Sequence, residues 1–417
     1  NLALLSELIR ATEEGEGAVQ RLVADRLAAA GCAVDRLEYS PACITLVEEF
    51  TTGSAQAIAP REAIIGRLKG AGGGPSLICF AHPDGEPVPE TPGWRHNPFA
   101  AECAEGRLYG WGVSDDLAGV AIMVAAVEAL HGADVRLAGD LIITSTPSKR
   151  HARGVAAVLQ AGHKADAAIY WHPAESGRGM GEIKAFSSSQ LDFRITVTGQ
   201  GPDTTEPIQT AFAHRAVNAV EKARLVLDAL DRLGKARAAR IHHPRLDAAI
   251  GQSTNIMIAR IQAGAPGVFS RVPERCVIEG AIAFPPGTPL AEVMAETEAT
   301  LASLPAEDPW FAKHPPGIEW VSGIPGAEIS DDHPLYRTVA AAITAETGMV
   351  PIVNAMHTTS DIRNPIVQAG IPCVGLGPLG GDLTQNGATD EWVDIDDYQR
   401  AVLIGAQAII AWCGLAA

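Results

Sequence analysis

Apolar runs alternate with amphipathic stretches through the first part of the chain. Residues 1–31 carry apolar side chains at helical spacing, and residues 118–130 form a strongly apolar helix. Residues 76–81, Leu141–Ser145 and Ala167–Trp171 are short and continuously apolar, which is typical of strands buried on both faces of a parallel sheet. Strands that alternate with helices predict a doubly wound, mostly parallel sheet, and therefore an α/β fold.

The pattern changes near residue 188. Residues 190–199 alternate apolar and polar positions with a period of two, which favours a half-solvated strand of an antiparallel sheet. A helix, two strands and another helix are predicted next, at residues 213–233, 254–261, 275–284 and 290–304. This β-α-β-β-α-β order predicts a separate α+β module.

Beyond residue 324 the buried pattern of the first part returns. Two helices and a strand are predicted there, at residues 335–347, 398–412 and 373–375. Both chain ends are therefore expected to build one catalytic domain, residues 1–187 and 324–417. Residues 188–323 are interpreted as an inserted lid.

Composition and charge narrow the class of protein. The chain has 417 residues, 47% hydrophobic and 19% charged, which is typical of a globular protein. Its formal net charge of −17 argues against nucleic acid as a partner, because phosphate contacts need a basic face. No apolar run approaches the roughly 20 residues of a membrane span, and the first residues lack the basic segment and cleavage site of a signal peptide. The seven cysteines are scattered without CxxC spacing, so buried free thiols in a reducing cytoplasm are expected. The expected partner is a small-molecule substrate.

Polar residues stand at the ends of several predicted elements. His82 and Asp84 directly follow one apolar run and His172 follows another. Asp115 and Asp116 precede the apolar helix. Taken singly, a strand-end histidine and an acidic helix cap are ordinary structural features. Two imidazoles and one carboxylate together make a metal-ligand set with open coordination positions, which suits zinc, manganese or iron.

Longer motifs surround these residues. They are His82-Pro-Asp84, Asn97-Pro98-Phe99, Gly106-Arg107-Leu108-Tyr109-Gly110-Trp-Gly112, Ser114-Asp115-Asp116, Asn218-Ala-Val, Ser253-Thr-Asn255-Ile, Val272-Pro273, Thr359-Ser-Asp361-Ile-Arg363 and Asp390-Glu391-Trp392-Val393. In this order, over nearly the whole chain, they resemble the metal-dependent amidohydrolase family of aminoacylases, glutamate carboxypeptidase, acetylornithine deacetylase and succinyl-diaminopimelate desuccinylase. The resemblance implies a peptidase-like catalytic domain and a lid that commonly mediates dimerisation.

The resemblance also implies a role for each candidate residue. Asp115 matches the aspartate that bridges two metals in this family, and His82 matches a ligand of one of them. His172 stands where that metal usually has a further carboxylate ligand. Asp84 matches the aspartate that orients the metal-binding histidine. One complete metal site, formed by His82, Asp115 and His172, is therefore expected.

Several positions depart from the family pattern. The glutamate pair that normally supplies the general base and a ligand of the second metal is Ser148 and Lys149 here, and a second-metal histidine is Gly387. Asp203 replaces a lid histidine, and Leu117 replaces a lysine. The second metal has thus lost its own ligands. We expect one divalent ion per chain, manganese or zinc.

The missing general base leaves the proton transfers without an assigned residue. Such catalysis is typically worth about 10²–10⁴-fold, so its loss matters. The candidates to supply it are Asp116, His151, His357 and Glu175. The candidates to bind substrate are Lys149, Asn255 and Arg271, of which the arginine is the better partner for a planar anion. Lys149 has three alternatives: it replaces the missing metal's charge, binds a substrate carboxylate, or points to solvent.

These features predict a hydrolase that cleaves a carbon–nitrogen bond of a small anionic substrate with one metal-bound hydroxide. Because the proton shuttle is missing, an activated aromatic amine is the preferred substrate. In this respect the chain is similar to a divergent single-metal branch of the family that converts 5-nitroanthranilate to 5-nitrosalicylate and ammonia. An amidase, deacylase or dipeptidase with a recruited base is the first alternative. A catalytically inactive binding protein and a non-haem iron oxygenase are the others, the latter because two histidines and a carboxylate also bind iron.

Overall fold

The chain divides into two compact units. The computed structural model describes residues 1–52, 59–85, 88, 93–174, 176–357, 360–380 and 389–416. The first unit comprises Asn1–Val47, Ser54–Ser187 and Ala327–Ala417, and the second comprises Glu48–Gly53 and Ser188–Gly326. The second unit thus ends at Gly326 rather than at residue 323, and it includes a short early segment that the sequence assigned to the first domain. The lid and dimerisation roles of residues 188–323 stay predictions.

Helices and strands alternate along most of the chain. The helices are α1 (Leu2–Ala11), α2 (Glu16–Ala29), α3 (Ala118–Gly132), α4 (Gly154–Gln160), α5 (Ala219–Arg240), α6 (Pro244–Ile250), α7 (Leu290–Ala302), α8 (Pro334–Thr347), α9 (Arg363–Ala369) and α10 (Ile395–Cys413). The strands are β1 (Ala33–Tyr39), β2 (Phe50–Thr51), β3 (Arg61–Leu68), β4 (Leu77–Ala81), β5 (Glu102–Ala104), β6 (Arg107–Tyr109), β7 (Leu141–Ser145), β8 (Ala167–Trp171), β9 (Glu182–Ile183), β10 (Phe186–Ser187), β11 (Ser189–Thr198), β12 (Asn255–Ala263), β13 (Arg275–Phe284), β14 (Gly317–Ile324), β15 (Ala327–Glu328), β16 (Ile352–Val353), β17 (Cys373–Leu376) and β18 (Trp392–Asp394). Helices α5–α7 and strands β2 and β11–β14 belong to the second unit.

A six-stranded sheet forms the centre of the first unit. Its strand order is β1-β3-β7-β4-β8-β17. Strands β7, β4, β8 and β17 run parallel to one another. Strand β3 pairs with β7, and β1 pairs with β3, both in antiparallel orientation. The predicted α/β class with a mostly parallel sheet is therefore confirmed.

Alternate side chains of the central strands face two hydrophobic cores. Leu77, Cys79 and Ala81 pack with residues of α1, α2, α3 and α10. Ile78 and Phe80 point the other way and pack with residues of α4 and α9. Because helices cover both faces of the sheet, every position of β4 is apolar. This is the pattern from which a parallel sheet was predicted.

The second unit is built on a five-stranded antiparallel sheet of order β12-β13-β11-β14-β2. Buried and part-exposed positions alternate along β11 and β13, and the buried face packs on α5 and α7. Helix α5 begins at Ala219, so the predicted start at residue 213 is wrong. Asn218 fixes the true start, because its side-chain oxygen accepts a hydrogen bond from Val220 N at 2.9 Å. Thr210–Arg215 forms a separate 3-10 segment.

Neither a membrane segment nor a disulfide is found in the described residues. No helix there is long and apolar enough to cross a membrane. All seven cysteines are free thiols, and five of them are buried, where a thiol packs as a small hydrophobic group. The prediction of buried thiols is wrong for Cys43 and Cys103, which are exposed.

Gly119 lies where α3 begins, against the end of β8. A Cβ atom at this position would clash with Trp171 O and Asp116 Oδ1. We expect Gly119→Ala to lower the free energy of unfolding by about 3 kcal/mol, at the upper end of the usual effect of overpacking, because the nearest atom belongs to the backbone. Denaturant unfolding followed by circular dichroism measures this change.

Gly132, the last residue of the same helix, supplies the matched control. No atom lies within 4 Å of a Cβ built there. Gly132→Ala should therefore leave stability unchanged or raise it by up to about 1 kcal/mol. Equal losses in the two variants would contradict the packing explanation.

Candidate metal centre and its surroundings

Two buried histidines meet at one edge of the parallel sheet. His82 follows β4 and His172 follows β8, and these strands are neighbours in parallel register. Their imidazole centroids lie 6.0 Å apart. The carboxyl ends of adjacent parallel strands place both rings at the edge where α/β sheets bind ligands.

Asp115 lies between the two rings. Its Oδ1 atom is 3.0 Å from His82 Nε2 and 3.3 Å from His172 Nε2. The three residues form a group whose ligand atoms all lie within 4.8 Å of one another. The structure therefore brings together the three residues that the sequence named as metal ligands.

The far nitrogens of the two rings support this arrangement. His82 Nδ1 lies 3.0 Å from Asp84 O and 3.5 Å from Asp84 Oδ1. His172 Nδ1 lies 3.0 Å from Pro173 O. A His82 ring that donates from Nδ1 presents the lone pair of Nε2, and such an oxygen partner is what a metal-binding histidine usually has. His172 Nδ1 also lies 2.8 Å from Lys184 Nζ, whose ammonium only donates, so Pro173 O alone does not fix the tautomer of that ring. The donor set thus fits a divalent ion, and Asp84 lies where the sequence placed an orienting group.

Lys149 contacts the second carboxylate oxygen of Asp115, Oδ2. Its Nζ atom forms a close ion pair with Asp115 Oδ2. The backbone N–H groups of Ser148 and Lys149 donate to the two carboxylate oxygens of Asp84, at 2.8 and 2.9 Å. Of the three alternatives for Lys149, the one that points it to solvent is wrong, because Asp84 and Asp115 hold both its backbone and its ammonium.

Charge compensation explains the ionisation of this cluster. Burial alone would raise the pKa of Asp115, but His172, His82 and Lys149 hold it well below its usual range. Burial alone would lower the pKa of Lys149, but Asp115 raises it above its usual value. Burial likewise opposes the charged form of His82, and hydrogen bonds with Asp115 and Asp84 raise its pKa well above the usual value.

Asp116 contacts the backbone of His82, the residue that directly follows β4. It is buried, and its Oδ2 atom accepts a hydrogen bond from His82 N at 3.2 Å. Its other oxygen lies close to Gly119. Burial, and then the charge of Asp115, raise the pKa of Asp116 well above its usual range. These contacts suit a group that fixes the end of β4.

Two contacts of this site lie outside the sequence prediction. The buried Lys184 places its Nζ 2.8 Å from His172 Nδ1 and 2.7 Å from Pro173 O, so a second lysine stands behind a metal-ligand candidate. Ser148 Oγ donates to Asp361, whose other carboxylate oxygen accepts from Arg363 at 2.7 Å. A lysine inside the apolar stretch around residues 183–186 was the only available signal for the first contact.

The remaining sequence candidates occupy separate places. His151 ends the 3-10 turn Lys149–His151, and His357 is buried just before the undescribed residues 358–359. Asn255 begins β12 in the second unit, where its Oδ1 accepts from Gln252 at 2.6 Å, and Arg271 is exposed in the loop after β12. Their roles stay predictions. Glu175, Thr359 and Gly387 lie outside the described residues.

A cavity of about 230 Å³ adjoins the cluster within the first unit. Its polar lining includes Asp84, Asp115 and the ion pair of Glu16 with Arg61. Its apolar lining is Val19, Pro83, Val88, Phe99, Trp111 and Leu117. The volume is below the roughly 300 Å³ of the smaller drug-sized pockets, so it suits a small fragment rather than a large ligand.

The fold and the metal-ligand cluster agree with the comparisons with known proteins, which show a metal-dependent hydrolase of carbon–nitrogen bonds, as the sequence predicted. The model of Peptidase family M20/M25/M40 matches residues 79–411, and the chain belongs to this family.

The chain is similar to curated enzymes over most of its length. It is 26% identical over 363 residues to N-formyl-4-amino-5-aminomethyl-2-methylpyrimidine deformylase of Bacillus subtilis (strain 168), with 84% of this chain and 83% of the relative covered. It is 28% identical over 437 aligned positions to succinyl-diaminopimelate desuccinylase of Methylorubrum extorquens (strain PA1), with 99% and 98% covered. The M20 family metallo-carboxypeptidase Sso-CP2 from Sulfolobus solfataricus shares the fold, with a TM-score of 0.72, 15% identity and 99% and 98% coverage.

Glu16 generates a pH-dependent prediction for the cavity. Burial, and then the charge of Asp84, raise the pKa of Glu16 to about 7. The folded chain therefore keeps a proton that the unfolded chain releases near pH 4.5, so this contribution to stability is present at low pH and is lost as pH rises toward 7. From pH 4 to pH 8, the free energy of unfolding of Glu16→Gln should rise by about 1–3 kcal/mol relative to that of the wild type. This range already includes a reduction for the partial exposure of Glu16. Denaturant unfolding at the two pH values measures the gain.

Glu13→Gln is the control for this experiment, because Glu13 is an exposed glutamate of the same segment. Its stability relative to the wild type should not vary with pH. A constant difference between Glu16→Gln and the wild type across the range would contradict the raised pKa.

Proposed function

We propose that this protein hydrolyses a carbon–nitrogen bond of a small substrate with one divalent ion, manganese or zinc, held by His82, Asp115 and His172. The observation that carries the proposal is the division of the Asp115 carboxylate. Its Oδ1 atom faces both imidazole Nε2 atoms, and its Oδ2 atom is paired with the ammonium of Lys149. The oxygen that a second ion would need is therefore already in use.

An ion at this position supplies Lewis acidity and lowers the pKa of a water molecule. The protein residues do the rest of the work. Asp84 holds the His82 ring through Nδ1 and fixes the backbone of Ser148 and Lys149. Lys149 keeps a positive charge beside Asp115, where it also attracts an anionic group of the substrate. The adjoining cavity accommodates a fragment of the substrate next to these charges.

The departing amine needs a proton, and this requirement separates two substrate classes. At the position where related enzymes are expected to carry a general-base glutamate, the chain has Ser148, whose hydroxyl donates to Asp361. An amide is the first candidate substrate, because the similar enzymes are named as a deformylase and a desuccinylase. His151 and His357 are then the proposed proton donors, and Asn255 and Arg271 the proposed substrate contacts.

An activated aromatic amine is the second candidate, and Ser148 is the observation that favours it. Hydrolytic deamination of 5-nitroanthranilate to 5-nitrosalicylate places negative charge on the nitro-substituted ring, so attack depends less on a protein base. The ammonium of Lys149 suits the carboxylate of such a substrate. We also propose that the chain forms a dimer through residues 188–323 and that the protein is located in the cytoplasm.

Metal stoichiometry tests the single-ion proposal. Purified protein equilibrated with Mn²⁺ or Zn²⁺ and then dialysed should retain about one ion per chain. His82→Ala and His172→Ala should each lower the affinity by more than about 100-fold, since removal of a ligand costs at least as much as removal of an outer partner. Elemental analysis and isothermal titration measure both quantities, with the exposed His242→Ala as control.

Variants of Lys149 sharpen the result. Lys149→Glu frees Asp115 Oδ2 and adds a carboxylate, so it should bind a second, weaker ion. Lys149→Met frees the same oxygen without adding a ligand and should stay near one ion. Two ions in the wild-type chain would overturn the proposal, and no ion would favour a binding protein.

A substrate panel distinguishes the two classes. The metal-loaded protein should hydrolyse N-formyl or N-succinyl amines with a kcat/KM at least about tenfold above that for 5-nitroanthranilate, a difference of about 1.4 kcal/mol in transition-state stabilisation. Amine release and ammonia release are measured in parallel, with His82→Ala as the blank. If 5-nitroanthranilate were the only substrate of the panel to react, with release of ammonia, the function would be hydrolytic deamination of the aromatic amine.

A further inference from the structure

Glu391 holds the loop that carries Asp115. Its carboxylate is buried, with only 1% of the residue exposed. The Oε1 atom accepts a hydrogen bond from Ser114 N at 2.6 Å, and the Oε2 atom accepts one from Gly112 N at 3.2 Å. Both donors lie within three residues of Asp115 in the chain, so one side chain fixes the backbone immediately before the metal-ligand candidate.

The residues beside Glu391 extend this contact. Gly110 N donates to Glu391 O at 3.1 Å, and Ser114 Oγ lies 2.6 Å from Trp392 O. Strand β18 also pairs with β6, with Trp392 opposite Tyr109. The loop before Asp115 is thus attached to β18 through both its backbone and its side chains.

Hydrogen bonds from backbone N–H groups to a carboxylate are charge-assisted, and they are stronger than those to a neutral oxygen. An amide in place of Glu391 has one acceptor oxygen for two N–H donors. One buried donor would then be left without its partner, which typically destabilises by about 1–3 kcal/mol. The loop would relax to satisfy that donor, and Asp115 would move with it.

We propose that Glu391 is a positioning residue of the metal site, which aims Asp115 Oδ1 between His82 and His172. The inference rests on the proposed function, because it assigns to Glu391 a role in binding the ion held by those three residues. It goes beyond that function in naming a residue that touches neither the ion nor the substrate. Its alternative is a purely structural role, in which Glu391 stabilises the fold without setting the geometry of the ligands.

Asp397 provides a matched comparison. It is also a buried carboxylate near the carboxyl end of the chain, with 8% of the residue exposed. It accepts hydrogen bonds from Met180 N at 3.0 Å and Leu379 N at 2.7 Å. Both bonds are accepted by Oδ2, so Asp397→Asn removes the negative charge of a buried carboxylate while its amide oxygen keeps both bonds, at a place that does not hold the loop before Asp115.

The experiment compares Glu391→Gln with Asp397→Asn in the full chain. Thermal unfolding records stability, titration with Mn²⁺ records affinity, and the visible spectrum of the Co²⁺-loaded protein records ligand geometry. Glu391→Gln should lose stability, because one buried N–H donor is left without its partner. Glu391→Gln should bind Mn²⁺ about 10–100-fold more weakly and show a shifted Co²⁺ spectrum at full occupancy, which is the usual effect of removing an outer partner of a metal ligand. Asp397→Asn should keep the affinity and spectrum of the wild type.

A second variant covers the case in which Glu391→Gln does not fold. Glu391→Asp keeps the charge but shortens the side chain by one methylene, so it should lose the reach to Ser114 N and Gly112 N, weaken Mn²⁺ binding and shift the spectrum in the same direction. Wild-type affinity and spectrum in Glu391→Gln or in Glu391→Asp, or equal losses of affinity in Glu391→Gln and Asp397→Asn, would overturn the inference. Wild-type protein without bound metal, or unchanged binding in His82→Ala, would instead overturn the proposed function.

Discussion

The two oxygens of Asp115 serve different cations, and the arrangement of the site depends on that division. Oδ1 faces the Nε2 atoms of His82 and His172, whereas Oδ2 is paired with Lys149. A largely enclosed carboxylate such as that of Asp115 stays charged because such partners compensate the loss of water. Because Lys149 is paired with Oδ2, the proposed single ion would bind at Oδ1. In that proposal a residue that is itself no ligand limits the number of ions that the site holds.

Sequence patterns predicted the parts of the site that depend on strand ends. His82 and His172 each follow an apolar run, and the parallel sheet predicted from those runs brings their side chains to one edge. The departure at Lys149 was also visible in the sequence. The partner of Lys149 was not visible in the sequence. A helix-like segment after β7 does not indicate whether a lysine side chain lies in solvent or contacts a carboxylate 34 residues earlier.

Contacts between distant segments set the limit of such predictions. Lys184, the residue after β9, contacts His172, and Glu391 contacts the loop before Asp115 across 277 residues of chain. Neither lysine nor glutamate has a local pattern that marks it as buried. The same limit applies to the fold: the start of α5 depended on the cap at Asn218, and the segment Glu48–Gly53 joins the second unit through pairing of β2 with β14.

A lysine and a second metal ion place positive charge at similar positions but do different chemistry. The ammonium of Lys149 stays in the protein whatever the metal supply, and it stabilises an anion by charge and hydrogen bonding. It has no open coordination position, so it does not act as a Lewis acid on a second oxygen. In the proposed single-ion site the two cations would therefore divide the work: the ion would activate water, and the ammonium of Lys149 would hold an anionic group of the substrate.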